Sequence, residues 1–81
     1  MMSTFQIRDV IKLGNQHLLI DTSFVENQFY ETAVFNCDEN GMVTNWTARY
    51  LKQCTDNVTA VHNHNSTVCG ILSEKIHLSL V

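Results

Sequence analysis

Two histidines, His62 and His64, flank Asn63 in a chain that also carries His17, His77, Cys37, Cys54 and Cys69. Imidazole and thiolate are the usual ligands of zinc, and a site would need two of these histidines with a Cys or a carboxylate. The spacing speaks against it. Residues two apart point to different sides of a helix, and no Cys-x-x-Cys pair supports them. A Cys–His nucleophile pair needs both side chains and an orienting third group in one pocket, and nothing in the spacing selects such a set. The remaining reading is structural: one histidine faces inward and is hydrogen-bonded, the other is exposed. Asp38-Glu39 reads as two solvated acids in a turn. There is no glycine-rich phosphate loop and no nucleophile elbow. The sequence therefore assigns no catalytic, cofactor-binding or metal-ligating residue and implies no cofactor.

The aromatic residues Phe29, Tyr30, Phe35, Trp46 and Tyr50 gather around one hairpin. Such a group could stack on bases. Phosphate binding, however, needs clustered Lys and Arg, and the five basic residues, Arg8, Lys12, Arg49, Lys52 and Lys75, are scattered in a chain of net charge −3. The aromatics are better read as core packing or a partner-binding patch, and Phe29, Tyr30, Trp46 and Tyr50 are the candidates for that patch.

The hairpin itself runs from Tyr30 to Trp46. Asn40-Gly41 between two apolar runs is the strongest short-range hairpin signal, because Asn and Gly tolerate the backbone angles of a tight turn. Ala33, Phe35 and Cys37 share a face on one side of it; Met42, Thr44 and Trp46 do on the other. Phe35 and Trp46 are expected between sheet and helix. Before the hairpin, Ser3 to Leu13 alternates: Phe5, Ile7, Ile11 and Leu13 on one face, Gln6, Arg8 and Lys12 on the other, the period of a half-buried strand. Asp9 breaks the apolar face and Val10 the polar one, so a bulge or an exposed strand end is expected there. Gly14-Asn15 suits a two-residue turn, and His17 to Asp21 can return antiparallel. Thr22 to Gln28 reads as a connection or a bulged continuation.

After the hairpin, Thr47 to Cys54 reads as an irregular or extended segment leading into a helix. Thr55 is the expected N-cap, with Asp56 in the first turn at the positive end of the dipole. Val58, Val61, Val68 and Leu72 recur at three- and four-residue spacings, with Ala60, His64 and Ile71 beside them; this is taken as the inward stripe. His64 falls on that stripe and His62 to its side. Asn, Thr and Val are poor helix formers, so the helix must depend on packing against the sheet. Ile76, Leu78 and Leu80 alternate with His77 and Ser79 and can add a last short strand. The expected fold is α+β: an antiparallel sheet of about four strands, covered on one face by a single C-terminal helix.

Eighty-one residues make one domain, 1–81. An apolar fraction of 44% suffices for a globular core, and no apolar run approaches a membrane span. No charged-then-apolar leader opens the chain, which suggests a cytoplasmic protein with reduced thiols. The triplets at Asn45, Asn57 and Asn65 are then not glycan acceptors.

Tyr30-Glu31-Thr32-x-Val34-Phe35, then Asn40-Gly41-x-Val43-x-x-Trp46, then Ala60-x-x-x-His64-x-x-x-Val68 resembles a group of short uncharacterised proteins encoded by bacteriophages and prophages. The resemblance covers roughly Ile20 to Leu72. In that group a helix carries the His-containing segment. The chain departs from the pattern at Asn63, where Gly is usual, and in a helix without the usual acidic residues, which leaves the helix length open. The resemblance implies a phage or bacterial cytoplasmic origin and no activity. The expected function is non-enzymatic: binding a host protein, as an inhibitor for example, or a second copy as a homodimer. The alternatives are a minimal His-based metal-dependent enzyme and a nucleic-acid accessory protein.

Overall fold

The structure is a computed structural model and describes residues 5–80. Four strands, β1 (Gln6–Leu13), β2 (Gln16–Val25), β3 (Phe29–Cys37) and β4 (Val43–Cys54), form one antiparallel sheet in sequence order. A single helix, α1 (Asn57–Leu72), follows and touches all four strands. This is the α+β arrangement expected from the alternation of β1 and the Asn-Gly hairpin. Among the described residues no helix is long and apolar enough to cross a membrane.

Three turns join the strands, each by its own chemistry. Gly14-Asn15 closes β1 and β2 with Leu13 opposite Gln16. Only Gly14 has a positive φ there, 63°, the pattern of a type II′ turn. The turn into β3 carries no glycine. Glu26 and Asn27 both adopt φ 53°, and Gln28 N–H donates to Val25 O at 3.0 Å, as in a type I′ turn. Because this turn lacks the usual Gly, Thr22 to Gln28 reads in sequence as a connection or a bulged continuation. In the fold β2 instead runs unbroken to Val25, paired with Phe29. The Asn-Gly turn is wider than a two-residue hairpin. Asp38 N–H donates to Met42 O and Gly41 N–H to Asp38 O, while the Asp38 carboxylate accepts from Asn40 and Met42 N–H. With Gly41 at φ 83°, this is a three-residue loop closed by a left-handed glycine.

The bulge lies on β4, not near Asp9. β1 pairs with β2 without a slip from Gln6 to Leu13. On the other side Val34 pairs with Tyr50 but Asn36 with Asn45, so the four residues Trp46 to Arg49 of β4 stand opposite the single residue Phe35. Extra residues bend a strand and re-aim its side chains. Here they turn Trp46 out and Arg49 in.

Register divides the side chains between the two faces. Ile11, Leu13, Leu18, Ile20, Val34 and Tyr50 face α1 and meet Ile71 and Val68 in the core. Burying each of the large aliphatics there stabilises the fold by about 1.5–3 kcal/mol. Leu19, Ala33 and Phe35 face the other way. Phe35 and Trp46 therefore do not lie between sheet and helix: their rings meet edge to face, centroids 5.3 Å apart, on the face opposite α1. The β3–β4 turn leans across this face, so near β1 that a Cβ on Gly41 would come 3.0 Å from Val10 Cγ2. Leu19, Ala33 and Cys37 are buried beneath this cover.

The N-cap of α1 is Asp56, one residue past the expected Thr55. Its carboxylate accepts from Thr59 N–H at 2.8 Å and from the Thr59 hydroxyl at 2.7 Å. The Thr59 backbone bond, and next its hydroxyl, hold the Asp56 carboxyl below its ordinary value of 3.8. A depressed folded-state pKa gives stability that is present above the unfolded value and is lost as pH falls through the folded one. Asp56→Ala is accordingly expected to lower the thermal midpoint at neutral pH and to converge with the parent as pH falls below the ordinary carboxylate range and through the depressed folded-state value. Asp56→Asn keeps a capping oxygen and should remove only the titration. Parallel midpoint-versus-pH curves for parent and Asp56→Ala would contradict this.

The helix is rotated from its expected register. Its buried residues are Ala60, Asn63, His64, Thr67 and Ile71, while Val58, Val61 and Leu72 are exposed. At its end Glu74 N–H donates to Ile71 O and Lys75 N–H to Gly70 O, a Schellman motif with Glu74, φ 59°, in the position Gly usually takes. The chain then turns back over Gly70, and Ile76 and Leu78 pack on the core. Their alternation with exposed His77 is as expected, but Ile76 to Leu80 form no strand. Leu80 is exposed.

Candidate functional site

His64 is 0% exposed and joins helix to sheet. Its Nε2 lies 2.7 Å from Asp9 Oδ2 on β1, and its Nδ1 lies 2.7 Å from the Thr22 hydroxyl on β2. Thr22 in turn lies 2.7 Å from the Thr32 hydroxyl on β3. A carboxylate only accepts, so Nε2 carries a hydrogen. In the neutral ring Nδ1 then accepts from Thr22, and Thr22 accepts from Thr32. One chain of hydrogen bonds thus crosses three strands and the helix. Asp9, the residue that interrupts the apolar face of β1, stands on that face because His64 needs it there.

Carboxylate, imidazole and hydroxyl in this order resemble the relay that activates a hydroxyl nucleophile. Access decides its use. Thr22 and His64 are fully buried and Thr32 nearly so, and Thr22 is held by its two neighbours. No substrate can meet that hydroxyl in this state. The network satisfies polar groups that would otherwise cost about 1–3 kcal/mol each when buried, and it fixes which face of α1 turns inward.

The other histidines stay apart. His62 and His77 are exposed and His17 is half-buried. Among the described residues no three His, Cys, Asp or Glu side chains gather as metal ligands. Cys37, Cys54 and Cys69 are unpaired. Only Cys37 is a buried thiol. Burial, and then the charge of Asp38, push its pKa up from 9.0.

Arg49 is 8% exposed, a buried cation that sequence reasoning did not single out. Its Nη1 donates to Gln16 Oε1 at 2.6 Å and to Asn36 Oδ1 at 3.1 Å. Nε donates to Ser79 O at 2.9 Å, and Ser79 N–H donates back to Arg49 O at 2.8 Å. One residue thus grips both backbone groups of Ser79 and ties the C-terminal segment to β2, β3 and β4. Only the bulge places it there, so no sequence spacing reveals it.

The four aromatic candidates are divided between the faces. Tyr30 faces the helix side and packs with Phe5 and Phe24, centroids 5.1 and 4.8 Å away. Tyr50 packs on the core. Phe29 follows the register of Phe35 on the opposite face, but pairs with Val25 at the far end of its strand. Trp46 is 72% exposed. Around it, on the same side, are Phe35, Leu51 opposite Ala33, and Val10 beneath the turn. Leu51 and Val10 are exposed. This patch shares only Trp46 with the set read from sequence.

Comparison of the chain with protein-family models, with curated proteins and with solved structures finds no match.

Proposed function

We propose that this chain is a small non-enzymatic protein of phage or prophage origin that acts in the bacterial cytoplasm by binding another protein. The surface that binds is the sheet face turned away from α1. The observation that carries this reading is Trp46, 72% exposed beside Phe35. A large aromatic left mostly in water beside Leu51 and Val10 adds little to the core, whereas Trp at the centre of an interface commonly dominates its energy. Clustered exposed apolar side chains of this kind mark interaction sites more often than chance. The phage origin rests on the resemblance of the hairpin and helix motifs.

The test is affinity capture from bacterial host extract with parent and Trp46→Ala. The parent should retain one stoichiometric protein and Trp46→Ala should lose it. Removing the ring forfeits its contact with Phe35, about 0.5–1.5 kcal/mol, so the thermal midpoint should move only slightly. Equal capture by both proteins, or a midpoint collapse in Trp46→Ala, would overturn the assignment of this face.

A further inference from the structure

The helix carries two stripes, and the fold uses the more polar one. Ala60, Asn63, His64, Thr67 and Ile71 face the sheet. Val58, Val61, Asn65, Val68 and Leu72 form a second stripe at alternating spacings of three and four residues. Val58 is 76%, Val61 40% and Leu72 53% exposed. Asn65 is exposed as well, and Val68 is half-buried at the margin of the core. At 3.6 residues per turn this stripe lies roughly 120° around the helix from the inward one. No Asp, Glu, Lys or Arg occurs anywhere in Asn57–Leu72. A helix whose outer side faces only water normally carries charges there.

We propose that this stripe is a seam joining α1 to the α1 of a second copy of the chain, parallel, about a two-fold axis. Three features select that occupant. Alternating spacings of three and four are those of a helix–helix seam, with Val58, Asn65 and Leu72 as one set of layers and Val61 and Val68 as the other. The uncharged helix brings no like charges together when it meets its own copy, the usual obstacle to pairing identical surfaces. Asn65 occupies the middle layer. In a parallel pair like layers meet, so Asn65 faces Asn65 of the second copy, and each amide offers the other a donor and an acceptor. In an antiparallel pair the two sets of layers meet each other, so Asn65 would face Val61 or Val68 and leave a polar group unmatched.

The helix has 16 residues, about 24 Å, and so presents only two heptads. Such a contact falls below the ~1,200 Å² of stable complexes, and the dimer dissociates on dilution. This surface is separate from the Trp46 face.

Sedimentation equilibrium over a range of concentrations tests the proposal. The parent should show a monomer–dimer equilibrium. Val58→Glu and Leu72→Glu, both at exposed positions, should keep the thermal midpoint and weaken dimerisation by about tenfold or more. An equimolar mixture of Val58→Glu with Val58→Lys should form a heterodimer tighter than either homodimer, because residue 58 meets residue 58 only in the parallel pair. A parent that stays monomeric at every concentration overturns the proposal. So does a mixture that gains nothing. Dimerisation that survives Val58→Glu and Leu72→Glu but is lost in Trp46→Ala also overturns it, and leaves the binding role of the sheet face standing.

Discussion

His64→Ala is expected to lower the free energy of unfolding by about 3–5 kcal/mol. A domain of this size is stabilised by only about 5–10 kcal/mol, so the variant should sit near its unfolding threshold at 37 °C. Two losses combine. The imidazole is 0% exposed, and its removal opens a cavity between α1 and the sheet. The Thr22 hydroxyl then loses its partner at Nδ1 and keeps only Thr32. Asp9 is the least affected, since its side chain is 54% exposed and water can replace Nε2. His62→Ala should change stability by less than about 0.5 kcal/mol, because His62 is exposed on the same helix. Denaturant titration of both variants decides the matter. Equal effects, or a silent His64→Ala, would mean that the network does not hold the helix in its register.

The second large effect is expected at Arg49. Arg49→Ala should cost about 2–3 kcal/mol and free the C-terminal segment. Removing the guanidinium leaves Gln16, Asn36 and the Ser79 carbonyl without their donor, although it also removes the cost of burying a charge. Arg49→Lys should be at least as damaging. A single ammonium cannot span three acceptors, and it keeps the buried charge. Hydrogen exchange at Ser79, whose N–H is bonded to Arg49 O, reads the release directly. A lysine variant close to the parent in stability would show that charge alone matters at this position.

These two residues mark the boundary between local and long-range information. Alternation from Phe5 to Leu13, the Gly14-Asn15 turn and the Asn40-Gly41 hairpin are short-range signals. Steric limits on φ and the period of two carry them, and they specify an antiparallel sheet without reference to the rest of the chain. The inward placement of His64 was legible as well, because it lies near the helical line through Val61 and Val68.

The register of α1 was not legible. By hydrophobicity alone Val58, Val61, Val68 and Leu72 make the better inward stripe. What turns this face inward instead is His64, whose partners lie elsewhere in the chain. Thr67 is satisfied within the helix, donating to Asn63 O, whereas His64 meets Thr22 and Asp9, 42 and 55 residues away in sequence. A polar stripe can be buried when each of its groups finds a partner, and no local pattern states where that partner is. The same holds for Trp46 and Arg49. Both sit in the four residues of β4 that stand opposite Phe35, where a bulge exchanges inside for outside, so period-two reading fails there for a geometrical reason. Local periodicity therefore determined the elements of this protein. Which faces those elements bury was decided only when the strands met the helix, because burial is set by hydrogen-bond satisfaction across the whole fold.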